Sequence, residues 1–398
     1  MESLSVAEVA ENKAIVVVQI KSILADTLEV GIQSVTRSLW LGGGSSWCGS
    51  QKVYLIKNAC KAWLYEENGP KEVLKLGDFP IPTPLHNQLL VQVRAAALNP
   101  IDSKRRQRPI FPSDFPVVPG CDMAGVVLEK GSSVTKFDIG DEIYGNIQDF
   151  NAGENLKQLG TLAELIVVEE SLIARKPKNL SFEEAASLPL AVQTAIEGFK
   201  TAGFKEGQSI FVVGGAGGVG TLVVQLAKHL YGASYVVATT STPKVEFVKK
   251  LGADKVVDYT KTRYEDINEK YDFVYDTIGD SKNSFLVAKD GAPIVDITWP
   301  LPNPRAVYSS LTVSGENLEK LRPYLESGKL KAEIDPTGPY NFGDVIEAFR
   351  YLETGRARGK VVISPFPSEH LPSSIPSESK NNVTSEVDQM ALKKIYVS

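Results

Sequence analysis

The strongest chemical signal in this 398-residue sequence is a glycine-rich turn. Its pattern is G-x-G-x-x-G, formed by Gly215, Ala216, Gly217, Gly218, Val219 and Gly220. An apolar run at 209–213 precedes it, and an apolar-periodic run through Leu230 follows. In such a strand–turn–helix unit the glycines let the backbone approach a pyrophosphate, and the free N–H groups and dipole of the helix start stabilise its charge. The turn therefore predicts a dinucleotide site.

The residues after the next predicted strand, at 235–239, indicate which dinucleotide fits. An NAD site places Asp or Glu about 20 residues downstream to accept the ribose hydroxyls, and this acid is missing. The segment instead carries Thr239, Thr240, Ser241, Thr242 and Lys244. Hydroxyls and a cation suit a 2′-phosphate, so we expect NADPH rather than NADH. The alternative is that Ser241 and Lys244 only cap and solvate the next helix.

Cysteine and histidine are too few for a metal centre or a disulfide framework. The sequence has three of each, namely Cys48, Cys60, Cys121, His86, His229 and His370. A catalytic zinc needs three closely placed ligands, and a structural zinc usually needs four. Cys121 stands beside Asp122 with no histidine nearby in sequence, so we expect a small buried hydrophobe rather than a nucleophile. No metal is expected, and a reducing compartment fits the cysteine usage.

Two kinds of periodicity surround these residues. Short strands with Pro and Gly punctuation, from residue 61 to about 173, predict a compact, barrel-like β-rich domain. From a capping box at Ser181 and Glu184 onward, strands and helices alternate, which is typical of a doubly wound parallel sheet in an α/β protein. The expected divisions are a leader at 1–58, a first domain at 59–182, a nucleotide-binding domain at 183–315, a return to the first domain at 316–366 and a mobile tail at 367–398.

Composition excludes several classes of protein. The net charge of -5 gives no basic excess for a nucleic-acid partner. No apolar run approaches the roughly 18 to 20 residues of a membrane span. A secretory signal is not supported, and acids such as Glu2, Glu8 and Glu11 argue against a transit peptide. We expect a cytoplasmic protein, with the chloroplast as the alternative.

Several segments in a fixed order resemble the zinc-free quinone-oxidoreductase branch of the medium-chain dehydrogenase/reductase family, over residues 61–366. They are 98–102, 118–127, 140–145, 185–190, the glycine turn and 251–254. Within that branch the chain is most similar to plant enone and alkenal oxidoreductases. Zinc-dependent members carry Cys where Pro100 and Ile101 stand, and Gly-His-Glu where this chain has Gly120, Cys121 and Asp122. Both zinc-ligand positions are lost.

The resemblance implies a GroES-like β-rich barrel followed by a Rossmann domain. It implies cofactor contacts at Asn99, Lys104, Thr194, Gly215, Gly217, Gly218, Val219, Gly220, Ser241, Thr242, Lys244, Tyr259, Ile297, Arg358 and Gly359. Ser241 and Lys244 would hold the 2′-phosphate, and Ile297 the nicotinamide. Tyr259 would face the adenosine ribose, and Lys104 would reach both cofactor and substrate. Ordinary surface packing is the alternative for Tyr259 and Arg358.

The resemblance also implies hydride transfer to a small enone, enal or quinone. Hydride addition to the β-carbon puts negative charge on the carbonyl oxygen, so a preorganised donor there lowers the barrier. Lys104 is the first candidate, and water, Tyr65 or Tyr144 could supply the proton that completes the reduction. The alternatives are an NADPH:quinone reductase and, in another class, an NADPH-holding RNA-binding or structural protein. Monomer and homodimer both remain open.

Overall fold

The computed structural model describes residues 59–111, 114–149, 158–298, 300–301 and 303–367. The predicted leader and nearly all of the predicted tail lie outside the described residues, as do Cys48 and His370. No helix within the described ranges is long and apolar enough to cross a membrane.

The first part of the described chain forms antiparallel β-structure. Its strands are β1 (Ala59–Leu64), β2 (Lys75–Pro80), β3 (Gln88–Leu98), β4 (Asp122–Lys130), β5 (Glu142–Asn146), β6 (Leu165–Glu169) and β7 (Ile173–Arg175). β1 and β2 pair as a ribbon. In the main sheet β3, β4, β5 and β7 lie side by side in this order, and β6 also pairs with β3. Its edge strand β14 (Val361–Ile363) comes from the far end of the described chain, so the chain returns to where it began.

The second sheet is parallel throughout. Its strands are β8 (Ser209–Val213), β9 (Tyr235–Thr240), β10 (Lys255–Asp258), β11 (Phe273–Asp276), β12 (Ile294–Asp296) and β13 (Val307–Tyr308). Their order is β10-β9-β8-β11-β12-β13. This is the order of a doubly wound nucleotide-binding sheet, in which ligands bind at the carboxyl ends of the strands where the winding direction reverses. Here that point lies between β8 and β11, so the expected α/β fold class is confirmed.

Eight α-helices of the described residues complete the fold. They are α1 (Pro100–Gln107), α2 (Phe182–Ala186), α3 (Pro189–Ala202), α4 (Gly218–His229), α5 (Val245–Lys250), α6 (Ser281–Ser284), α7 (Gly315–Glu326) and α8 (Val345–Glu353). The capping box at Ser181 is confirmed: its hydroxyl accepts from the Glu184 N–H, and the Glu184 carboxylate accepts from the Ser181 N–H. Pro189 then starts α3, because proline fits the first turn of a helix.

Helix α1 is absent from the sequence-based prediction, which placed only strands before residue 173. Its start carries two signals that were overlooked. Pro100 occupies the first turn, and Asn99 and Asp102 form a capping box at its N-terminus. Proline and a capping pair at this spacing are a recognised helix start. The error matters for function because α1 carries Lys104.

One apolar cluster joins the two sheets. It contains Ala95 and Ala124 of the antiparallel sheet, Ala191 and Val192 of α3, and Val212 of β8, all at most 1% exposed. Small residues on both sides let the backbones approach closely, and burial of their apolar surface stabilises the contact by roughly 25 cal/mol per Å². The β-rich part and the parallel sheet are therefore packed through a shared core within the described chain.

The carboxyl edge of the parallel sheet holds a pair of buried aspartates. Asp276 and Asp296 are register partners at the ends of β11 and β12, and both side chains are fully buried. One Asp276 oxygen accepts the N–H groups of Ile278 and Gly279 at 3.0 and 2.9 Å. Burial first, and the charge of Asp296 in addition, raise the pKa of Asp276 to about 6. This carboxyl group therefore titrates well above the usual range of an aspartate.

Replacing Asp276 by Asn should change how stability depends on pH. The native pKa of about 6 lies above that of an unfolded aspartate, so between about pH 4 and 6 this carboxyl group binds more protons in the folded protein than in the unfolded chain. The folded protein therefore loses stability as the pH rises through that window. Asp276→Asn keeps an oxygen for both N–H groups and removes this loss. The difference in unfolding free energy, variant minus wild type, should increase by about 2 kcal/mol between pH 4.5 and 8 in urea denaturation.

The matched control for this prediction is Asp290→Asn, which makes the same substitution at an exposed position. A difference for Asp276→Asn that is the same at both pH values would contradict the assignment of the titration to Asp276.

Candidate active site

The glycine turn closes tightly between β8 and α4. Gly214 has φ +82°, a conformation that side chains disfavour. Its N–H donates to Thr239 Oγ1 at 3.0 Å, and the Gly215 N–H donates to the Thr239 carbonyl at 2.9 Å. An added Cβ would lie 2.7 Å from Ala238 Cβ at Gly215 and 2.1 Å from the Gly214 oxygen at Gly220. Packing of strand against helix therefore requires both glycines.

Gly217 is different and points to a ligand. An added Cβ there would meet no atom of the described residues nearer than the Gly214 carbonyl oxygen at 3.6 Å. Gly217 stands at the N-cap of the 12-residue helix α4, whose first turn, beginning at Gly218 and Val219, contains no acidic residue. The free N–H groups and the positive end of the helix dipole are thus available to an anion. The turn fits the pyrophosphate of a dinucleotide.

The hydroxyl groups predicted to bind the 2′-phosphate, at and after the end of β9, differ in their hydrogen-bond partners. Thr242 Oγ1 is committed to the Asp258 carboxylate and lies 3.2 Å from Thr260 Oγ1. Ser241 stands at the N-cap of a short 3-10 turn, but its side chain makes no capping bond. The cap alternative for Ser241 is therefore not seen. Of Ser241 and Thr242, only Ser241 keeps a hydroxyl that the described contacts leave to a ligand.

Two cations meet in the corner beside Ser241. Lys244 Nζ donates to the carbonyls of Arg356 and Ala357, the latter at 3.1 Å. Burial, together with the nearby charge of Arg358, lowers the pKa of Lys244, while Asp335 opposes this. The Arg358 guanidinium lies 4.7 Å from the ring centre of Phe247, and its Nε is buried without a hydrogen bond to the described residues. The corner fits a phosphate group.

Gly359 brings the end of the described chain against the glycine turn. Its N–H donates to the Ala216 carbonyl at 2.9 Å, and its φ is +83°. A Cβ there would lie 2.1 Å from the Glu333 carbonyl oxygen, so the close approach requires glycine. Arg358 and Gly359, which are about 140 positions beyond the turn in sequence, are thus placed beside it in space.

Asn99 belongs to a buried polar network that sequence analysis missed. Its Nδ2 donates to Asp122 Oδ2 at 2.9 Å, and its N–H donates to Asp102 Oδ2 at 2.7 Å. Lys360 Nζ donates to Asn99 Oδ1 and lies 3.2 Å from Asp122 Oδ2. The capping box that predicts α1 would have found Asp102. Nothing local in sequence connects Lys360 with Asp122.

Cys121 is buried as expected, and it also joins this network. Its thiol donates to Asp102 Oδ1 at 3.1 Å. Burial, followed by the charges of Asp102 and Asp122, raises the pKa of Cys121 well above its usual value. Burial also raises the pKa of Asp102 to about 6. A thiol held protonated in this way is a poor nucleophile.

The three candidate catalytic side chains have different environments. Lys104 is exposed on α1. Tyr65 is 2% exposed, with its ring edge-on to Phe115 at 6.0 Å between centres. Burial raises the pKa of Tyr65, and the nearby Arg105 guanidinium opposes the shift. Lys104 and Tyr65 are both in the part of the chain that precedes β4.

Tyr144 is placed in the core rather than at a cleft. It lies on β5 within the apolar cluster shared by the two sheets, and it is 1% exposed. Its hydroxyl donates to the Leu318 carbonyl at 3.4 Å. Burial, with the charge of Glu319 adding, raises its pKa. This packing argues against Tyr144 as a proton donor.

Three further residues predicted to contact the cofactor are Ile297, Tyr259 and Thr194. Ile297 directly follows β12, and its N–H donates to the Asp276 carbonyl at 3.2 Å. Tyr259 directly follows β10 and is 55% exposed. Thr194, on α3, uses its hydroxyl to bond the Leu190 carbonyl at 2.8 Å. Tyr259 and Ile297 thus lie on the ligand-binding edge of the sheet.

A zinc ion does not fit these residues. Across the described ranges, no group of three or more His, Cys, Asp or Glu side chains is placed to hold a metal ion. The oxygens and sulfur around Cys121 are already engaged: Asp122 Oδ1 accepts the Leu190 N–H at 2.8 Å, and its Oδ2 accepts from Asn99 and Lys360. Among the described residues, these side chains are therefore not arranged to ligate zinc.

Comparisons with known proteins agree with this geometry. Residues 86–178 match the alcohol dehydrogenase GroES-like domain, and residues 251–363 match a model described as zinc-binding dehydrogenase. The chain is 52% identical to the 2-methylene-furan-3-one reductase of Solanum lycopersicum, over 78% of this chain and 81% of that protein. It is 47% identical to the chloroplastic NADPH-dependent alkenal/one oxidoreductase of Arabidopsis thaliana, over 84% and 89%.

Among solved structures, the quinone oxidoreductase from Coxiella burnetii is similar with a TM-score of 0.69 and 32% identity, over 77% of this chain and 99% of that one. Fold, glycine turn and sequence identity thus agree. The chain belongs to the medium-chain dehydrogenase/reductase family, in its quinone-oxidoreductase branch.

Proposed function

We propose that this protein uses NADPH to reduce the carbon–carbon double bond of small α,β-unsaturated carbonyl compounds, without a metal. The observation that carries the proposal is a dinucleotide turn with a two-cation corner, placed in a chain whose zinc-ligand positions carry other residues. The names of the two plant relatives, which specify an alkenal/one and a 2-methylene-furan-3-one as substrates, support the same reaction.

The preference for NADPH rests on the corner formed by Ser241, Lys244 and Arg358. A 2′-phosphate carries close to two negative charges and needs donors that remain cationic. Lys244 is held in place by backbone carbonyls, which orients its ammonium, and Arg358 keeps a buried Nε donor without a bond to the described residues. The name of the Arabidopsis relative also specifies NADPH.

When bound, the dinucleotide supplies the hydride for the β-carbon of the substrate. The protein then has two tasks at the substrate. Lys104 donates to the carbonyl oxygen as negative charge develops there, and it is exposed and free to reach a ligand. Tyr65, which lies near the Arg105 guanidinium, or a water molecule supplies the proton that completes the reduction.

A quinone reductase is the second candidate function, since a quinone presents the same conjugated carbonyl. The quinone-oxidoreductase homolog of Spinacia oleracea, 32% identical over 75% of this chain, and the Coxiella burnetii structure favour it. An RNA-binding role has less support, because the net charge of -5 provides no basic excess.

For location, we propose the chloroplast in place of the expected cytoplasm. Relatives from Arabidopsis thaliana and Spinacia oleracea have names that place them in the chloroplast, whereas the expected cytoplasmic location gains no support from them. Imaging of a fluorescent fusion in plant cells tests this, and a purely cytosolic signal would contradict it.

The reaction is tested by following NADPH oxidation against a 2-methylene-furan-3-one, short alkenals, vinyl ketones and benzoquinones, with product identification. A saturated ketone or aldehyde is expected. Turnover of quinones alone would replace the proposal by the second candidate. Firm NADPH binding with no turnover of any substrate would contradict both enzymatic functions.

Lys104→Ala should lower kcat/KM for an enone by about 10²-fold, because one preorganised donor to the developing oxyanion is lost. Steady-state kinetics at saturating NADPH measures the effect. The matched control is Lys75→Ala, which removes an exposed lysine of β2 that pairs with Glu66, and it should leave kcat/KM unchanged. Unchanged enone turnover and NADPH affinity in Lys104→Ala would rule out the assigned role.

Lys244→Ala should raise the KM for NADPH by about 10- to 100-fold and leave the KM for NADH nearly unchanged, since a charge-assisted bond to the 2′-phosphate is lost. Kinetics with both cofactors measures the ratio. Lys249→Ala on the adjoining helix α5 removes a surface lysine paired with Glu246 and serves as control. An equal change of KM for both cofactors would mean that Lys244 only supports the local fold.

A further inference from the structure

A buried lysine lies between the cofactor turn and helix α1. Lys360, just before β14, has a side chain that is 6% exposed, and its partner Asp122 is fully buried. Its Nζ donates to Asn99 Oδ1 and lies 3.2 Å from Asp122 Oδ2. A buried ammonium costs several kcal/mol unless it is paired and hydrogen-bonded. Its position is therefore fixed by these two partners.

The stem of Lys360 passes directly under the glycine turn. An added Cβ at Gly218 would meet Lys360 Cδ at 2.9 Å. The neighbouring residue Gly359 donates its N–H to the Ala216 carbonyl at 2.9 Å. The backbone that begins α4, and with it the site for the pyrophosphate, therefore rests on this part of the chain.

The head of Lys360 holds the start of α1. Asn99 caps α1, and the side chain that accepts from Lys360 also donates to Asp122 at 2.9 Å. The Asn99 N–H donates to Asp102 Oδ2 at 2.7 Å, which completes the capping box. Lys104 lies in this eight-residue helix, one turn beyond its cap. A shift of the cap would therefore move Lys104.

The same network binds the start of α3. Asp122 Oδ1 accepts the Leu190 N–H at 2.8 Å, so one carboxylate joins α1, α3 and Lys360. Asp122 lies in one of the two segments where zinc-dependent family members carry metal ligands, and Asn99 directly precedes the other. In the present chain the Lys360 ammonium lies against Asp122 and balances its charge.

We propose that Lys360 is a positioning residue of the reduction, whose ammonium joins the glycine turn to the capped start of α1 and so sets the distance between the bound cofactor and Lys104. The inference rests on the proposed enone reduction. Lys360 itself is too deeply buried to contact a substrate. Its effect must therefore pass through Lys104 and through the backbone at Gly218.

A double-mutant cycle tests this route. Lys360→Met keeps most of the stem and removes the charge, and it should lower kcat for an enone about 30-fold and raise the KM for NADPH about threefold. In a Lys104→Ala background the same change should lower kcat less than about threefold, because the residue through which Lys360 acts is gone. Kinetics on the full chain with NADPH and a vinyl ketone gives all four values.

Lys176 offers a matched control. It is another buried lysine, 8% exposed, with its Nζ 3.0 Å from Glu142 Oε2 and 2.6 Å from the Leu180 carbonyl. It lies just after β7, outside the network. Lys176→Met should lower the melting temperature and leave kcat unchanged. Lys104→Ala should lower kcat by the same factor in the Lys176→Met background as in the wild type.

Asp122→Asn provides a second route if Lys360→Met fails to fold. It preserves the size of the side chain and an oxygen for the Leu190 N–H, while it removes the charge that holds Lys360. The same non-additivity with Lys104→Ala is expected. If Lys360→Met or Asp122→Asn lowered kcat by the same factor with and without Lys104→Ala, the inference would be overturned. A wild-type protein inactive on every enone would instead overturn the proposed function.

Discussion

The candidate site depends on how one buried ammonium is neutralised. Lys360 reaches Asp122 and Asn99 in the interior, where an unpaired charge would be strongly destabilising. Satisfying that charge requires the end of the described chain to lie beside the glycine turn, at Gly359, and the start of α1 to lie within hydrogen-bond reach. One electrostatic requirement thus brings together three segments that are far apart in sequence.

The architecture around this junction suits a reaction that needs few acid–base groups. The sheet order places the glycine turn where the winding direction reverses, and an apolar cluster containing Ala95 and Ala191 packs the two sheets together. Holding a hydride donor and an alkene in register in a dry cleft can supply much of the rate enhancement. A sequence with only three histidines is compatible with this chemistry.

What sequence analysis predicted well is local. The glycine turn, the alternation of strands and helices, and the capping box at Ser181 depend on neighbouring residues, and the structure confirms each of them. Helix α1 was missed although its cap, from Asn99 to Asp102, was readable, because proline was taken as punctuation between strands. Tyr144 was chosen by residue type alone, and only the register of β5 shows that it faces the core.

The buried network could not have been predicted in the same way. Asp122 and Lys360 are 238 positions apart, and each has an ordinary local sequence. Their contact is set by the pairing of β14 with β3 and of β4 with β3, which is a tertiary property. Likewise, the two cations at Lys244 and Arg358 meet only after the chain returns. Local patterns identify the cofactor turn, but the residues that position it are supplied by topology.

The central claim is that hydride goes to the β-carbon of an unsaturated carbonyl compound without a metal. The most direct measurement is turnover of a vinyl ketone with NADPH carrying deuterium at the transferable C4 position, in the presence of a chelator, followed by NMR of the product. We expect deuterium at the β-carbon and a proton from water at the α-carbon. The rate with this cofactor should be the same with and without the chelator. Deuterium at the carbonyl carbon, with an unsaturated alcohol as product, or activity abolished by the chelator would contradict the claim.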